Sequence, residues 1–269
     1  MSRFILSKPS PEGTVKTTEL SEIFTNWKAE EEHWLFVAPH DDDIILGAGL
    51  LIQKAQEAGV KMSILVTTDG RMGYCSPEQK ENIREIRHKE TLQSFAMVGI
   101  DDIEFLNFPD GSLSFHMGGR FSNREESWHH MGLTGMQPAY THAIRKRKPT
   151  RIFVPGGSDY HPDHKLTYQE LLISVFHSGG DIWPELGNPL PWIPSVYEMA
   201  IYCDFEEAPN LRIDADEEAL EKKLEGIIAY QSQPQIATLI QNVREAGSIE
   251  FFRDLTFNFY SPNKYKDLF

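Results

Sequence analysis

Cysteine is scarce in this chain: Cys75 and Cys203 are the two among 269 residues. They form neither a C-x-x-C pair nor a disulfide framework, which favours a reducing compartment. The first twenty residues have no sustained apolar core and no small-residue cleavage site, so no signal peptide is predicted. No stretch approaches the ~20 apolar residues of a membrane span. Together these absences predict a cytoplasmic protein that has no membrane partner.

Positive charge is also under-represented. The sequence has 26 Lys and Arg against 40 Asp and Glu, a formal net charge of −14. A negative field of this size disfavours nucleic acid and anionic membrane as partners. The one basic run, residues 145–148, ends a helical pattern just before Pro149. We interpret it as a solvated helix C-terminus, where cations are favoured by the helix dipole.

Short apolar runs alternate with helical patterns from residue 34 onward. Strands are predicted at 34–38, 62–66, 103–106, 151–154 and 196–202, and helices at 44–58, 77–98, 136–147, 165–176, 216–230 and 234–246. This alternation is typical of a three-layer α/β fold, a mostly parallel sheet with helices on both faces. Without repeats or a clear linker, we expect a single domain over 1–269, with its core at about 33–240, an N-terminal arm at 1–32 and a C-terminal tail at 241–269.

Two polar clusters follow predicted strands, where ligands bind in sheets of this type. They are residues 40–43 and residues 161–164. Three consecutive carboxylates at a strand end repel one another unless a cation lies between them. We therefore predict a metal site whose ligands are His40, Asp43 and His164. Two imidazoles and one carboxylate leave a position open for water, as catalytic zinc requires, although the same ligands suit Fe²⁺ or another divalent ion.

The remaining groups of these clusters could perform hydrolysis. Asp42 could act as general base on a zinc-bound water, whose pKa falls to about 7. His161 could stabilise an oxyanion or protonate a leaving amine, with Asp163 orienting its ring. The simpler alternative is that residues 41–43 only favour a helix dipole.

Both clusters, in this order, make the sequence similar to the PIG-L/LmbE family of zinc-dependent N-acetylglucosaminyl deacetylases. The first reads His-Asp-Asp-Asp-Ile and is followed by Leu46-Gly47; the second is an intact His-Pro-Asp-His. Weaker similarities extend the resemblance over about residues 33–240, at 67–73, 87–90, 108–111 and 230–233.

The resemblance implies a Rossmann-like, LmbE-like fold and the same metal ligands and base as above. It adds Arg87 and Asp110 as contacts to sugar hydroxyls, and it implies a homo-oligomer, trimeric or hexameric. The chain departs from the family pattern at Asp41, where the family has Pro, and at Ile44, where the family has Glu.

The expected function is removal of the acetyl group from an N-acetylglucosamine-containing small molecule. Two alternatives stay open: a zinc amidase or esterase acting on a non-sugar substrate, and a catalytically silent sugar-binding protein of the same fold. A dinucleotide-binding role is disfavoured because the Gly47-Ala48-Gly49 segment lacks the third glycine of the fingerprint, with Ile at position 52.

Overall fold

The computed structural model describes residues 3–124, 126–257 and 259–268, and residues 1, 2, 125, 258 and 269 lie outside it. Its strands within those ranges are β1 Phe4–Ser10, β2 Gly13–Thr17, β3 His33–Ala38, β4 Lys61–Thr68, β5 Ile103–Phe108, β6 Arg120–Phe121, β7 His129–His130, β8 Leu133–Thr134, β9 Arg151–Pro155, β10 Ser195–Met199, β11 Leu211–Ala215 and β12 Ile249–Leu255. Its helices are α1 Leu20–Ile23, α2 Asp43–Glu57, α3 Ile83–Met97, α4 Met136–Arg147, α5 Pro162–Ser178, α6 Glu217–Ile228 and α7 Ile236–Ala246.

The main sheet has nine strands in the order β2-β1-β11-β12-β10-β9-β3-β4-β5. From β10 to β5 neighbouring strands are parallel, and from β2 to β10 they are antiparallel. Strands β6, β8 and β7 form a separate small sheet. The parallel half carries all the βα connections that hold the polar clusters.

Strand β3 explains why the sheet is covered on both faces, because each of its six residues is buried. Trp34 and Phe36 belong to a core that includes residues of α2, α3 and α6. Leu35 and Val37 belong to the opposite core, with residues of α4 and α5. Alternate side chains of an extended strand point to opposite faces, so a strand buried on both faces is apolar throughout.

The glycines of α2 have a packing role. A Cβ at Gly47 would lie 2.6 Å from Ile201 Cδ1, and one at Gly49 would lie 2.8 Å from Lys223 Cγ. Both positions therefore need the absence of a side chain for α2 to approach its neighbours. This close packing accounts for the Gly47-Ala48-Gly49 segment.

The predicted α/β class, with a parallel sheet and helices on both faces, is confirmed. The antiparallel extension was not predicted: β1 and β2 of the predicted arm and β12 of the predicted tail join the main sheet. The helix predicted at 77–98 is divided into a 3₁₀ turn, Pro77–Gln79, and α3. In the part of the chain that the structure describes, no helix combines the length and apolar character that crossing a membrane requires.

The basic run differs from its prediction as a solvated helix end. Arg145 is buried, and its guanidinium donates six hydrogen bonds, to the carbonyl oxygens of His177, Ser178, Gly180, Ile182, Trp183 and Gly187. These hydrogen bonds hold the backbone of the segment that follows α5 against α4. The charge and spacing of the sequence do not reveal this role of Arg145.

Candidate active site and metal centre

The two polar clusters meet at the carboxyl edge of the parallel strands. Residues 39–42 connect β3 to α2, and residues 156–161 connect β9 to α5. Strands β3 and β9 are parallel neighbours, so their carboxyl ends lie side by side. The structure therefore brings residues 40–43 and 161–164 together, as their positions after adjacent strands predict.

Asp43 lies between the two histidines predicted to be its fellow ligands. Its Oδ2 atom is 3.3 Å from His40 Nδ1 and 3.3 Å from His164 Nε2. The same oxygen accepts the backbone N–H of His40 at 3.0 Å, which fixes the carboxylate against the loop. All three side chains are buried.

The hydrogen bonding of His164 shows that this cluster suits a cation. Its Nδ1 atom bonds Asp159 Oδ2 at 3.0 Å, so Nδ1 carries a proton and Nε2 presents its lone pair to Asp43. Among the described residues, neither His164 Nε2 nor Asp43 Oδ1 has a hydrogen-bond partner, although both atoms are buried. A lone pair facing a carboxylate needs a proton or a metal ion between them. The donor set fits a divalent metal such as zinc.

The pKa shifts at this cluster agree with its demand for positive charge. Burial opposes protonation of His40, but the Asp43 carboxylate, together with Asp110 and Asp163, raises the pKa of His40 well above its ordinary value. Burial likewise opposes protonation of His164, and Asp43 again raises its pKa. Burial would raise the pKa of Asp43, yet the two histidines lower it.

Among the described residues, His40 also belongs to two groups of possible ligand atoms that do not include Asp43. Nitrogen atoms of His40, His161 and His164 lie within 4.8 Å of one another, as do ligand atoms of His40, Asp110 and Asp163. His40 Nε2 is 3.3 Å from Asp110 Oδ1 and 3.7 Å from Asp163 Oδ2. The predicted substrate contact Asp110 is therefore placed directly beside a predicted ligand.

Asp42, the predicted base, is a buried carboxylate at the N-cap of α2. Its Oδ1 atom accepts a hydrogen bond from Arg87 Nη2 at 3.2 Å. Burial raises the pKa of Asp42 to about 6, against the lowering effect of Arg87, and the carboxylates of Asp41 and Asp43 add to the increase. A carboxylate with a pKa near 6 is ionised at neutral pH and basic enough to accept a proton.

His161 caps the N-terminus of α5. Its Nδ1 atom accepts the backbone N–H of Asp163 at 3.2 Å, so the neutral ring carries its proton on Nε2. Burial lowers the pKa of His161, and its neighbours His40 and His164 lower it further. The hydrogen bond from Asp163 to the His161 ring thus comes from the Asp163 backbone. The Asp163 carboxylate instead accepts the N–H of Gly111 at 2.9 Å.

Arg87 was predicted to contact the sugar, and the structure places it behind Asp42. Its side chain is 5% exposed, and its guanidinium is bonded to Asp41 and Asp42. The assigned roles of Arg87, Asp110 and Asp163 stay predictions.

Asp159 is the residue of this site that sequence reasoning missed. Its Oδ2 atom accepts hydrogen bonds from His164 Nδ1 at 3.0 Å and from the Tyr202 N–H at 3.2 Å. Its Oδ1 atom accepts the N–H of His161 at 2.9 Å. The available signal was its position two residues before His161, which by itself distinguishes it little from other acidic residues. Tyr202 was also missed; its ring stacks on His164 with centroids 5.1 Å apart.

The fold and the site define an α/β protein with a buried histidine–carboxylate cluster that could hold a metal ion. Comparison with known protein families identifies the family to which the chain belongs. The PIG-L family, described as GlcNAc-PI de-N-acetylase, matches residues 35–174, just over half of the sequence, and the chain belongs to this family.

Two curated relatives are deacetylases of N-acetylglucosamine-containing compounds. The chain is 27% identical over 184 residues to the 1D-myo-inositol 2-acetamido-2-deoxy-alpha-D-glucopyranoside deacetylase of Kineococcus radiotolerans, covering 61% of this chain and 51% of that protein. It is 35% identical over 140 residues to a probable N-acetyl-alpha-D-glucosaminyl L-malate deacetylase 2 of Bacillus cereus, covering 50% of this chain and 56% of the relative. The chain thus spans about half the length of these relatives.

A solved structure agrees with the fold. The N,N'-diacetylchitobiose deacetylase of Pyrococcus horikoshii, complexed with its inhibitor MPG, superposes with a TM-score of 0.68. The alignment covers 93% of this chain and 94% of that one at 24% identity, a likeness that supports the fold alone.

Proposed function

We propose that this protein is a metal-dependent hydrolase that removes the acetyl group from an N-acetylglucosamine-containing small molecule. The observation that carries the proposal is the placement of Asp43 Oδ2 between His40 Nδ1 and His164 Nε2, at 3.3 Å from each, with His164 Nε2 and Asp43 Oδ1 buried. The curated deacetylases among the relatives support the reaction class. We further propose that the chain acts as a single domain.

In this proposal His40, Asp43 and His164 hold the metal ion, zinc or another divalent ion such as Fe²⁺. A bound ion would supply Lewis acidity, which polarises a carbonyl and lowers the pKa of water. The hydrogen bond that His164 Nδ1 donates to Asp159 favours the neutral His164 tautomer with a free Nε2, the form that ligates metals.

The proton transfers are assigned to Asp42 and His161. Asp42 accepts the proton of the attacking water, for which its pKa near 6 is suitable at neutral pH. His161 presents Nε2–H, because its Nδ1 atom is engaged by the Asp163 N–H, and it stabilises the oxyanion of the tetrahedral intermediate. The C–N bond then breaks, the proton held on Asp42 passes to the leaving amine, and acetate and a free amino sugar are released.

Acetate release tests this proposal. The zinc-loaded protein would be incubated with N-acetylglucosamine, diacetylchitobiose, and inositol-linked and malate-linked N-acetylglucosamine, alongside an Asp42→Asn variant. We expect release by the wild type and a loss of at least about a hundredfold in the variant, which should keep its metal. If neither protein releases acetate from any compound while both bind zinc, the sugar-deacetylase assignment is wrong.

The same variant separates this proposal from a silent sugar-binding role. A binding protein should hold its sugar ligand equally well with Asp or Asn at position 42, and it should turn over nothing in either form. An amidase or esterase would instead hydrolyse simple acetanilide or acetyl-ester probes faster than every sugar in the panel. The groups of the site would serve that chemistry too, so the substrate comparison decides between them.

A further inference from the structure

Arg87 is a buried cation between two buried carboxylates. Its Nε atom donates to Asp41 Oδ1 at 2.9 Å, and Nη2 bonds both Asp41 Oδ1 and Asp42 Oδ1, the latter at 3.2 Å. Asp41 is the residue that stands where the PIG-L pattern described above has Pro. This chain therefore has a carboxylate at a position where the family pattern has none, and that carboxylate binds Arg87 next to Asp42.

Asp41 is itself fixed from several directions. Its Oδ2 atom accepts the hydroxyl proton of Thr91 at 2.9 Å, and its backbone carbonyl accepts the Tyr230 hydroxyl at 2.7 Å. Thr91 lies one turn after Arg87 on α3. Helix α3 and the segment after α6 thus both anchor the loop that presents Asp42.

The turn after β4 covers the other side of the guanidinium. A Cβ at Gly73 would lie 2.3 Å from Arg87 Nη1, and one at Gly70 would lie 3.0 Å from Arg87 Nε. Gly70 also has a φ of +64°, which favours glycine. The glycines at these positions let the backbone of the turn lie against Arg87, which helps to bury the guanidinium.

We propose that Arg87 is a positioning residue for Asp42, held in place by Asp41, and does not contact the sugar. The inference rests on the proposed function, since it assigns Arg87 a part in presenting the base of that reaction. Among the described residues, Arg87 is the side chain that donates a hydrogen bond to the Asp42 carboxylate. With Asp41 engaging the opposite side of the fork, the guanidinium fixes the direction of the Asp42 Oδ1 atom.

Kinetic constants distinguish positioning from substrate contact. Arg87→Lys keeps the charge but loses the planar fork, and we expect kcat to fall by about ten- to a hundredfold with KM nearly unchanged at saturating zinc. Asp41→Asn should also lower kcat, because it loosens the arginine. A sugar contact would give the reverse result: KM would rise in Arg87→Lys with kcat maintained, and that outcome would overturn the proposal.

A double variant separates positioning from simple structural support. Asp41→Asn/Arg87→Gln removes one charge of each sign, so the net charge of the buried cluster stays the same. We expect this variant to fold, to bind zinc and still to have a low kcat, since Asp42 has lost its charged donor. Recovery of wild-type kcat would show that the pair only supports the fold. As a matched control, Glu32→Gln/Arg151→Gln removes another buried pair, at the opposite end of the sheet, and should leave kcat unchanged.

Thermal unfolding of the two single variants and the double variant provides a readout without turnover. We expect the double variant to lose less melting temperature than the two single variants lose together. Each single variant leaves one charge of the Asp41–Arg87 pair without its partner, and the double variant does not. Additive losses would overturn the proposed hold of Asp41 on Arg87, whether or not the protein releases acetate. If the variants show this coupling but the wild type releases no acetate from any compound, the proposed function is contradicted and the hold of Asp41 on Arg87 stands.

Discussion

Replacing Asp159 by Asn should weaken metal binding without unfolding the site. Asp159 accepts three hydrogen bonds between 2.9 and 3.2 Å, from the His164 ring and from the N–H groups of His161 and Tyr202. Asn offers a single acceptor oxygen and carries no charge. Its amide group would face at least one of these donors. Loss of the charge-assisted bond to His164 leaves the ring free to rotate and its Nε2 atom less basic.

The expected loss is about ten- to a hundredfold in zinc affinity, or about 1.4 to 2.7 kcal/mol. It would be measured by competition with a chromogenic zinc chelator at pH 7.5, using protein freed of metal beforehand. Asp204→Asn is the matched control, because Asp204 is an exposed carboxylate two residues after Tyr202 and its Oδ1 atom accepts a local backbone N–H. Equal zinc affinities for the wild type and both variants would refute the reasoning that Asp159 holds His164 as a ligand.

Three further predictions concern stability and packing. Burial lowers the pKa of His33 from 6.5 to about 4, so the unfolded state binds more protons between those pH values and stability falls as the pH drops through them. His33→Gln should reduce that pH dependence, measured by urea unfolding at pH 7.5 and 4.5. Gly73→Ala should lower both kcat and stability, the latter by about 1 to 3 kcal/mol, since its Cβ would lie 2.3 Å from Arg87 Nη1. Arg145→Met should cost roughly 3 to 5 kcal/mol of unfolding free energy, because six hydrogen bonds to carbonyl oxygens, one buried and five partly buried, are lost.

The glycine and arginine predictions each have a control variant within the chain. Gly180→Ala, where the nearest atom would be at 3.5 Å, should be nearly neutral, and equal effects at both glycines would contradict the clash with Arg87. Lys146→Met changes an exposed neighbour of Arg145 and should leave unfolding nearly unaltered. A pH dependence in His33→Gln identical to that of the wild type would show that His33 is not the group responsible.

The parallel half of the fold was predictable because it depends on local patterns. Strand β3 and helices α2 and α4 appear close to their predicted bounds, since a buried strand is apolar throughout and each helix shows a helical apolar period. The antiparallel strands were missed because their burial is uneven: every residue of β2 is exposed or half-exposed, which leaves little apolar alternation to detect. Their positions in the sheet depend on pairing with strands distant in the sequence.

The site divides in the same way. The meeting of His40, Asp43 and His164 was predictable because neighbouring parallel strands bring their carboxyl ends to one edge. The surroundings of Arg87 were not, because its partners Asp41 and Asp42 lie 46 and 45 positions away and the sequence shows only an arginine on a helix. Asp159 was missed for a similar reason: its role depends on hydrogen bonds to His164 and Tyr202, residues 5 and 43 positions away.

The most direct test of the central claim is a zinc titration of the metal-free protein, followed by acetate release from the best substrate of the panel. We expect no release from the metal-free protein and release that rises in proportion to bound zinc, reaching a plateau at one ion per chain. A metal-free protein that releases acetate at the full rate would contradict the claim that His40, Asp43 and His164 hold a catalytic metal ion.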